Sequence, residues 1–225
     1  MPSIPCEAHQ ISHDRIAAQD EAHQKGKRFE GGPSERLAVH EAGHALFGYL
    51  NFPGGVVSVE LHRTSGHTQL DERLKRTIAD GTGLHKLAEM ALAGDVAELI
   101  CYGQGGRTSG SESDKTRATE LLLHLLQTRK PYVPAVLESG GMSGHSSERM
   151  RAGWHAELEA LAAETHASVL RWLTPHAQAL RDFARLLLEA PDQALSGDQL
   201  EAAIEACLPG AVSGLYGEAG DEAAQ

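Results

Sequence analysis

Two histidines four positions apart, with a glutamate directly after the first, occur in LAVHEAGHALFGYL at residues 37–50. In a helix, residues i and i+4 lie one above the other, so His40 and His44 could bind one metal ion through their imidazole rings. Glu41 would lie about 100° around the helix from His40, close to His44. A carboxylate in that place can act as a base on metal-bound water. The spacing therefore predicts a zinc site capable of hydrolysis.

The motif alone does not establish this chemistry. The chain has 13 histidines in 225 residues, and a chance match to H-E-x-x-H has a probability of roughly 7% in such a composition. The surroundings favour a helix, because Pro33-Ser34 predicts a helix start capped by Ser34 and Asn51–Gly55 predicts its end. We therefore expect residues 34–50 to form a rigid helix that carries the site.

Composition limits the classes of partner and compartment. A formal net charge of −11 argues against a nucleic-acid or anionic-membrane surface, for which a basic stripe is expected. Three widely spaced cysteines, Cys6, Cys101 and Cys207, fit neither a disulfide framework nor a C-x-x-C metal clip. No signal-peptide core and no run of about 20 apolar residues occurs. The sequence predicts a cytoplasmic protein with no membrane and no nucleic-acid partner.

Hydrophobic periodicity, the scarcity of aromatic residues and the abundance of Ala, Leu and Glu predict a mainly α protein. Alternation after the first helix predicts a small β-strand or hairpin element beside it. We expect residues 1–32 to be a flexible polar arm and residues 208–225 a disordered tail. The predicted elements are a strand at 56–61 with a turn at Ser65-Gly66, helices at 84–103, about 113–127, 149–173 and 175–190, and a short helix from Ser196.

A catalytic zinc usually takes three protein ligands and keeps one open position, so two histidines are an incomplete set. Asp114 is attractive because it is predicted in the first turn of a helix, where the helix dipole favours the ionised, metal-binding form. An ordinary first-turn aspartate that only complements the dipole is an equally physical interpretation. The residues alone leave the third ligand open, and the candidates are His62, His67, Glu98, Asp114 and His145.

Four segments in the same order resemble the protease domain of FtsH-type ATP-dependent zinc metalloproteases. They are VHEAGHAL, ALAGDVAELICYG, TSGSESDKTRATELL and GMS, and the resemblance covers about residues 34–206. It implies a zincin-like helical protease domain at residues 33–207, with a C-terminal helical subdomain at about 149–207. Two positions depart from the family pattern: Asp95 stands where the family has arginine, and Leu99 replaces a glutamate.

The resemblance implies that His40, His44 and Asp114 bind Zn²⁺ and that Glu41 is the general base. Glu98 matches a family glutamate and is implied to support the site as the partner of a ligand imidazole; a buried structural carboxylate is the alternative. The implied function is a zinc metalloendopeptidase that hydrolyses peptide bonds in flexible or unfolded polypeptides, with Glu41 assisting the attack of zinc-bound water.

The sequence contains no G-x-x-x-x-G-K-[ST] nucleotide-binding loop. We therefore expect a peptidase without its own ATPase motor, with an ATPase partner in trans and a homo-oligomer, as a ring or something smaller, among its partners. A catalytically idle relative that binds a protein partner is a second hypothesis, and a zinc hydrolase of non-peptide amides is a third. The intact set of His40, Glu41 and His44 argues against the idle relative.

Overall fold

The computed structural model of the protein describes residues 33–52, 54–72, 81–106, 111–129 and 148–210. The arm predicted for residues 1–32, the Gly141-Met142-Ser143 segment and the tail beyond residue 210 lie outside the described residues. His145, one of the candidate ligands, also lies outside them.

Helices dominate the described part of the chain, which confirms the prediction of a mainly α fold. None of the helices in these ranges is both long enough and apolar enough to cross a membrane. The helices are α1 (Pro33–Asn51), α2 (Gly81–Tyr102), α3 (Glu112–Arg129), α4 (Glu148–Leu173), α5 (Ala177–Glu189) and α6 (Gly197–Cys207). The strands are β1 (Val56–Leu61), β2 (Gly66–Leu70) and β3 (Ala194–Ser196).

The three strands form one antiparallel sheet in the order β2-β1-β3. On one side of β1, Val59 pairs with Thr68 of β2, and on the other side it pairs with Leu195 of β3. Strand β1 is therefore the central strand, and both of its edges are paired, so an extended polypeptide cannot add to it. Strand β2 is the edge strand that lies nearer the predicted site.

Helix α1 is the centre of the core, and most of its residues from Ala38 to Tyr49 are almost fully buried. Its close approach to α2 depends on a glycine. A Cβ atom at Gly43 would overlap the carbonyl oxygen of Ala93 and would lie 2.7 Å from Cβ of Ala97. Gly43, Ala93 and Ala97 therefore let the backbones of α1 and α2 approach each other closely near the predicted metal ligands.

The helix boundaries differ from the predictions where capping was invoked. Helix α1 begins at Pro33, so Ser34 lies inside its first turn. The predicted break at Thr174-Pro175 is present: residues Thr174–His176 form a short 3₁₀ helix between α4 and α5, which begins at Ala177. The Thr174 hydroxyl donates back to the Leu170 carbonyl at 2.6 Å, so it completes α4 instead of capping α5. Ser196 is the N-cap residue of α6, but its side chain makes no capping hydrogen bond.

Candidate metal centre

Helices α1 and α3 bring three potential ligand atoms together. His40 and His44 are buried on α1, and Asp114 lies in the first turn of α3. The Nε2 atom of His40 lies 3.0 Å from Nε2 of His44 and 2.9 Å from Oδ2 of Asp114. The Nε2 atom of His44 lies 3.4 Å from the same oxygen. Two neighbouring histidines of α1 and one aspartate 74 residues from His40 thus point their donor atoms at one place.

The Nδ1 nitrogen of each imidazole ring donates a hydrogen bond to a buried acceptor. His40 Nδ1–H donates to Oε1 of Glu98 at 2.7 Å, and His44 Nδ1–H donates to the Met90 carbonyl at 2.8 Å. Glu98 is only 1% exposed. Such partners set the tautomer and the ring orientation, so the Nε2 lone pair of each imidazole is directed at the shared centre.

The donor set fits zinc. Tetrahedral zinc with bonds of about 2.0–2.1 Å separates its ligand atoms by roughly 3.3 Å, and the three separations of 3.0, 2.9 and 3.4 Å lie close to that value. Two imidazoles and one carboxylate also match the ligand types of catalytic zinc, which leave a fourth position for water. In the described part of the chain, this is the only such group of three or more His, Cys, Asp or Glu residues.

His40 and Asp114 of this cluster shift each other's pKa values. Burial acts to lower the pKa of His40, but hydrogen bonds with Asp114 and Glu98 outweigh it and raise the pKa to about 10. Burial acts to raise the pKa of Asp114, yet the two histidines hold it well below its usual range. A positive charge at the centre is therefore favoured, because anionic carboxylates surround it.

Glu41 lies beside this centre and is 4% exposed. The Thr68 hydroxyl of β2 donates to Oε2 of Glu41 at 2.8 Å. Strand β2 can come this close because residue 66 is glycine: a Cβ atom there would overlap the Glu41 side chain. The sheet therefore fixes the carboxylate of the predicted base through Thr68.

A cavity of about 520 Å³ opens over these residues. It is bounded by α1, by the β1–β2 turn with β2, and by α2 and α3. The side chains of Glu41, Glu98 and Asp114 supply negative charge, and Leu70, Leu87 and Leu121 supply an apolar wall. The volume lies within the range of 300–1,000 Å³ typical of small-molecule sites.

The other candidate ligands lie outside the donor cluster. His62 is exposed at the end of β1, and His67 lines the cavity without joining the three donor atoms. Glu98 contacts His40 Nδ1, away from the centre. Cys101 and Cys207 are free thiols outside the cluster. Sequence reasoning missed Thr68 and the Met90 carbonyl; a backbone carbonyl has no sequence signature, and Thr68 reads as one strand residue among others.

Gly94 of α2 lies directly under the two imidazoles. A Cβ atom at this position would lie 2.5 Å from Nε2 of His40 and 2.6 Å from Nε2 of His44. We expect Gly94→Ala to displace the rings and to lower zinc affinity at least about tenfold, measured by competition with a chromophoric chelator. Gly153→Ala is the matched control, because Gly153 is also helical and a Cβ there meets nothing within 4 Å. Equal zinc affinities of the two variants would contradict this placement of Gly94.

Asp95, one of the two residues that depart from the family pattern, is buried at 1% exposure. Its Oδ1 lies 3.1 Å from Nζ of Lys115, whose side chain is 46% exposed. Because Lys115 follows Asp114, this ion pair fastens the first turn of α3 to α2 beside the imidazoles. The pair stabilises the position from which Asp114 reaches the centre.

We expect Lys115→Met to lower the free energy of unfolding by about 1–2 kcal/mol, since the buried Asp95 carboxylate loses its ammonium partner. Zinc affinity should fall severalfold in the same variant. Urea unfolding and a zinc titration measure the two effects. Arg185→Met is the control, because Arg185 forms a comparable but exposed pair with Asp182. Equally large losses of stability and zinc affinity in this control would mean that the loss of any ion pair has this effect, and would contradict the role given to Lys115.

The mainly α fold, the small antiparallel sheet beside α1 and the cluster of two imidazoles and one carboxylate define a zincin-like helical domain. No family model matches the chain. Among curated proteins, the ATP-dependent zinc metalloprotease FtsH of Aquifex aeolicus is 32% identical over 111 residues, which are 46% of this chain and 17% of that protein.

Two further relatives match longer parts of the chain. FtsH of Ureaplasma parvum is 26% identical over 168 residues, or 69% of this chain and 23% of the relative. The chloroplastic zinc metalloprotease FTSH 1 of Oryza sativa subsp. japonica is 25% identical over 203 residues, or 76% of this chain and 30% of the relative. The chain is thus a distant relative of the FtsH-type ATP-dependent zinc metalloproteases, and its matches span less than a third of the length of these three.

Proposed function

We propose that this protein is a zinc-dependent endopeptidase that hydrolyses peptide bonds in flexible or unfolded polypeptides. The observation that carries the proposal is the convergence of His40 Nε2, His44 Nε2 and Asp114 Oδ2 beside the buried carboxylate of Glu41. These three residues would hold Zn²⁺. The distant similarity to proteins named zinc metalloproteases supports the same metal and the same class of reaction.

When bound, zinc supplies a Lewis acid that lowers the pKa of water and polarises a carbonyl group. Glu41 would take a proton from the attacking water at its carboxylate and would later deliver it to the leaving nitrogen. Thr68 donates to Oε2 of Glu41, which orients the carboxylate and leaves Oε1 to accept the proton. Glu98 and the Met90 carbonyl keep the two imidazoles in the ligand tautomer.

The preference for flexible polypeptides follows from the shape of the site. The cavity is bordered by Gly66–Thr68 of β2, and one edge of β2 pairs with β1 while the other has no strand partner among the described elements. An extended polypeptide can add to such an edge through its main-chain groups, whereas a folded protein has those groups paired internally. A homo-oligomer and an ATPase partner in trans stay predictions.

The proposal is tested by casein cleavage with purified protein. We expect the zinc-loaded protein to cleave this disordered substrate, a chelator to abolish cleavage, and stoichiometric zinc to restore it. Cleavage that survives complete removal of zinc would contradict the proposal. Bound zinc without any cleavage would instead favour the idle, partner-binding relative.

A further inference from the structure

Helix α3 presents more than the Asp114 carboxylate to the cavity. Asp114, Arg117 and Leu121 are spaced i, i+3 and i+7, which places them on one helical face, and all three line the cavity. Among the described residues that line it, Arg117 is the only lysine or arginine. Within the described part of the chain, the cavity therefore has one permanently cationic side chain, which lies one helical turn beyond Asp114.

The present partner of Arg117 holds it weakly. Its Nη1 atom lies 3.4 Å from Oε2 of Glu120, and the two side chains are 64% and 62% exposed. An exposed pair of this kind contributes little, because water solvates both ions well. The guanidinium can therefore exchange Glu120 for another carboxylate at small cost, and its planar fork is suited to bind one in a bidentate manner.

The position of Arg117 also defines how near to the reacting bond such a carboxylate would be. Three residues advance a helix by roughly 4.5 Å, and an extended peptide advances about 3.3–3.4 Å per residue. A polypeptide that places its scissile bond beside Glu41 and Asp114 thus passes Arg117 within about one to three residues of that bond.

The negative charge of the acidic residues in the site makes Arg117 important for binding an acidic polypeptide. The chain has a net charge of −11, and among the described residues the acidic side chains that line the cavity are Glu41, Glu98 and Asp114. An acidic polypeptide would be repelled by this surface unless a local cation compensates. Arg117 is the side chain placed to do so.

We infer that Arg117 is a specificity-determining residue that binds a carboxylate of the substrate, from an acidic side chain or from the chain's C-terminus, close to the scissile bond. This inference rests on the proposed endopeptidase function. It names the substrate class as flexible polypeptides with a negative charge within about three residues of the cleaved bond.

Matched peptides test the inference with the zinc-loaded full-length protein at pH 7. One casein cleavage site is made as a blocked peptide, and glutamate or glutamine is placed in turn at each of three positions on either side of the cleaved bond. A second pair carries a free or an amidated C-terminus near that bond. In one of these pairs, we expect the peptide with the carboxylate to be cleaved with a kcat/KM about five- to tenfold higher than that of its neutral counterpart, mostly through a lower KM. This ratio should fall as salt is added.

Substitution identifies the residue responsible. In Arg117→Gln the carboxylate preference should disappear, and in Arg117→Glu a lysine-containing peptide should become the better substrate. Arg185→Gln, which removes a similarly exposed and similarly paired arginine on α5, should keep the wild-type preference. The peptide pair whose difference in kcat/KM disappears in Arg117→Gln shows whether Arg117 binds an acidic side chain or the C-terminus.

The two proposals fail in different ways. If Arg117→Gln cleaves with the same carboxylate preference as the wild type, or if the wild type shows none, the inference about Arg117 is wrong and the endopeptidase stands. If the zinc-loaded wild type cleaves neither casein nor any of these peptides, the proposed function is wrong and the inference falls with it.

Discussion

Replacing Glu41 by glutamine is expected to leave zinc bound and to lower kcat by about 10²–10⁴-fold, the usual contribution of a positioned general base. Glutamine keeps the shape of the side chain and can still meet the Thr68 hydroxyl, but its amide cannot accept the proton of the attacking water. The three proposed zinc ligands are untouched. Peptide hydrolysis and zinc content, measured on the same sample, separate the two effects.

Glu189→Gln is the control for this substitution, since Glu189 is exposed at the end of α5. It should keep both zinc and activity. Peptidase activity in Glu41→Gln equal to that of the wild type would refute the role of Glu41 as the base. Loss of zinc in Glu41→Gln would show that Glu41 contributes to zinc binding instead of taking the proton of the attacking water.

Replacing Asp114 by asparagine is expected to weaken zinc binding by more than about 100-fold and to abolish hydrolysis. The change exceeds the 10–100-fold loss typical of residues that only orient a ligand, because it exchanges an anionic ligand for a neutral one. Zinc should raise the melting temperature of the wild type and should no longer raise that of the variant, since ligand binding stabilises the folded state. His44→Ala should likewise lose both metal and activity.

Asp182→Asn on α5 is the matched control for Asp114→Asn and should retain zinc and its thermal stabilisation. Asp182 lies outside the donor cluster and pairs with Arg185 on the helix surface. An Asp114→Asn variant that binds zinc as tightly as the control would exclude Asp114 as a ligand.

The mainly α fold was predictable, because long helices repeat their apolar residues over many turns. The three-residue strand β3 was not, since Ala194–Ser196 is too short to show alternation. The break between α4 and α5 was predictable from Thr174-Pro175, but Thr174 does not cap α5 as a threonine before a first-turn proline often does. Here the Thr174 hydroxyl instead bonds to the carbonyl four residues earlier.

The site was predictable where its geometry is local. The spacing of His40 and His44 places both rings on one face of any helix. Asp114 is 74 residues from His40, so only the resemblance to a known family, and not the spacing, could select it among the candidates. Thr68 could not be found in advance, because its contact with Glu41 depends on how closely Gly66 lets β2 approach α1.

A crystal structure of the zinc-loaded protein, with anomalous data on both sides of the zinc edge, tests the central proposal most directly. The proposal predicts one zinc peak at about 2.0–2.2 Å from His40 Nε2, His44 Nε2 and a carboxylate oxygen of Asp114. A peak elsewhere in the molecule, or a zinc ion coordinated by the two histidines with Asp114 turned away, would contradict it.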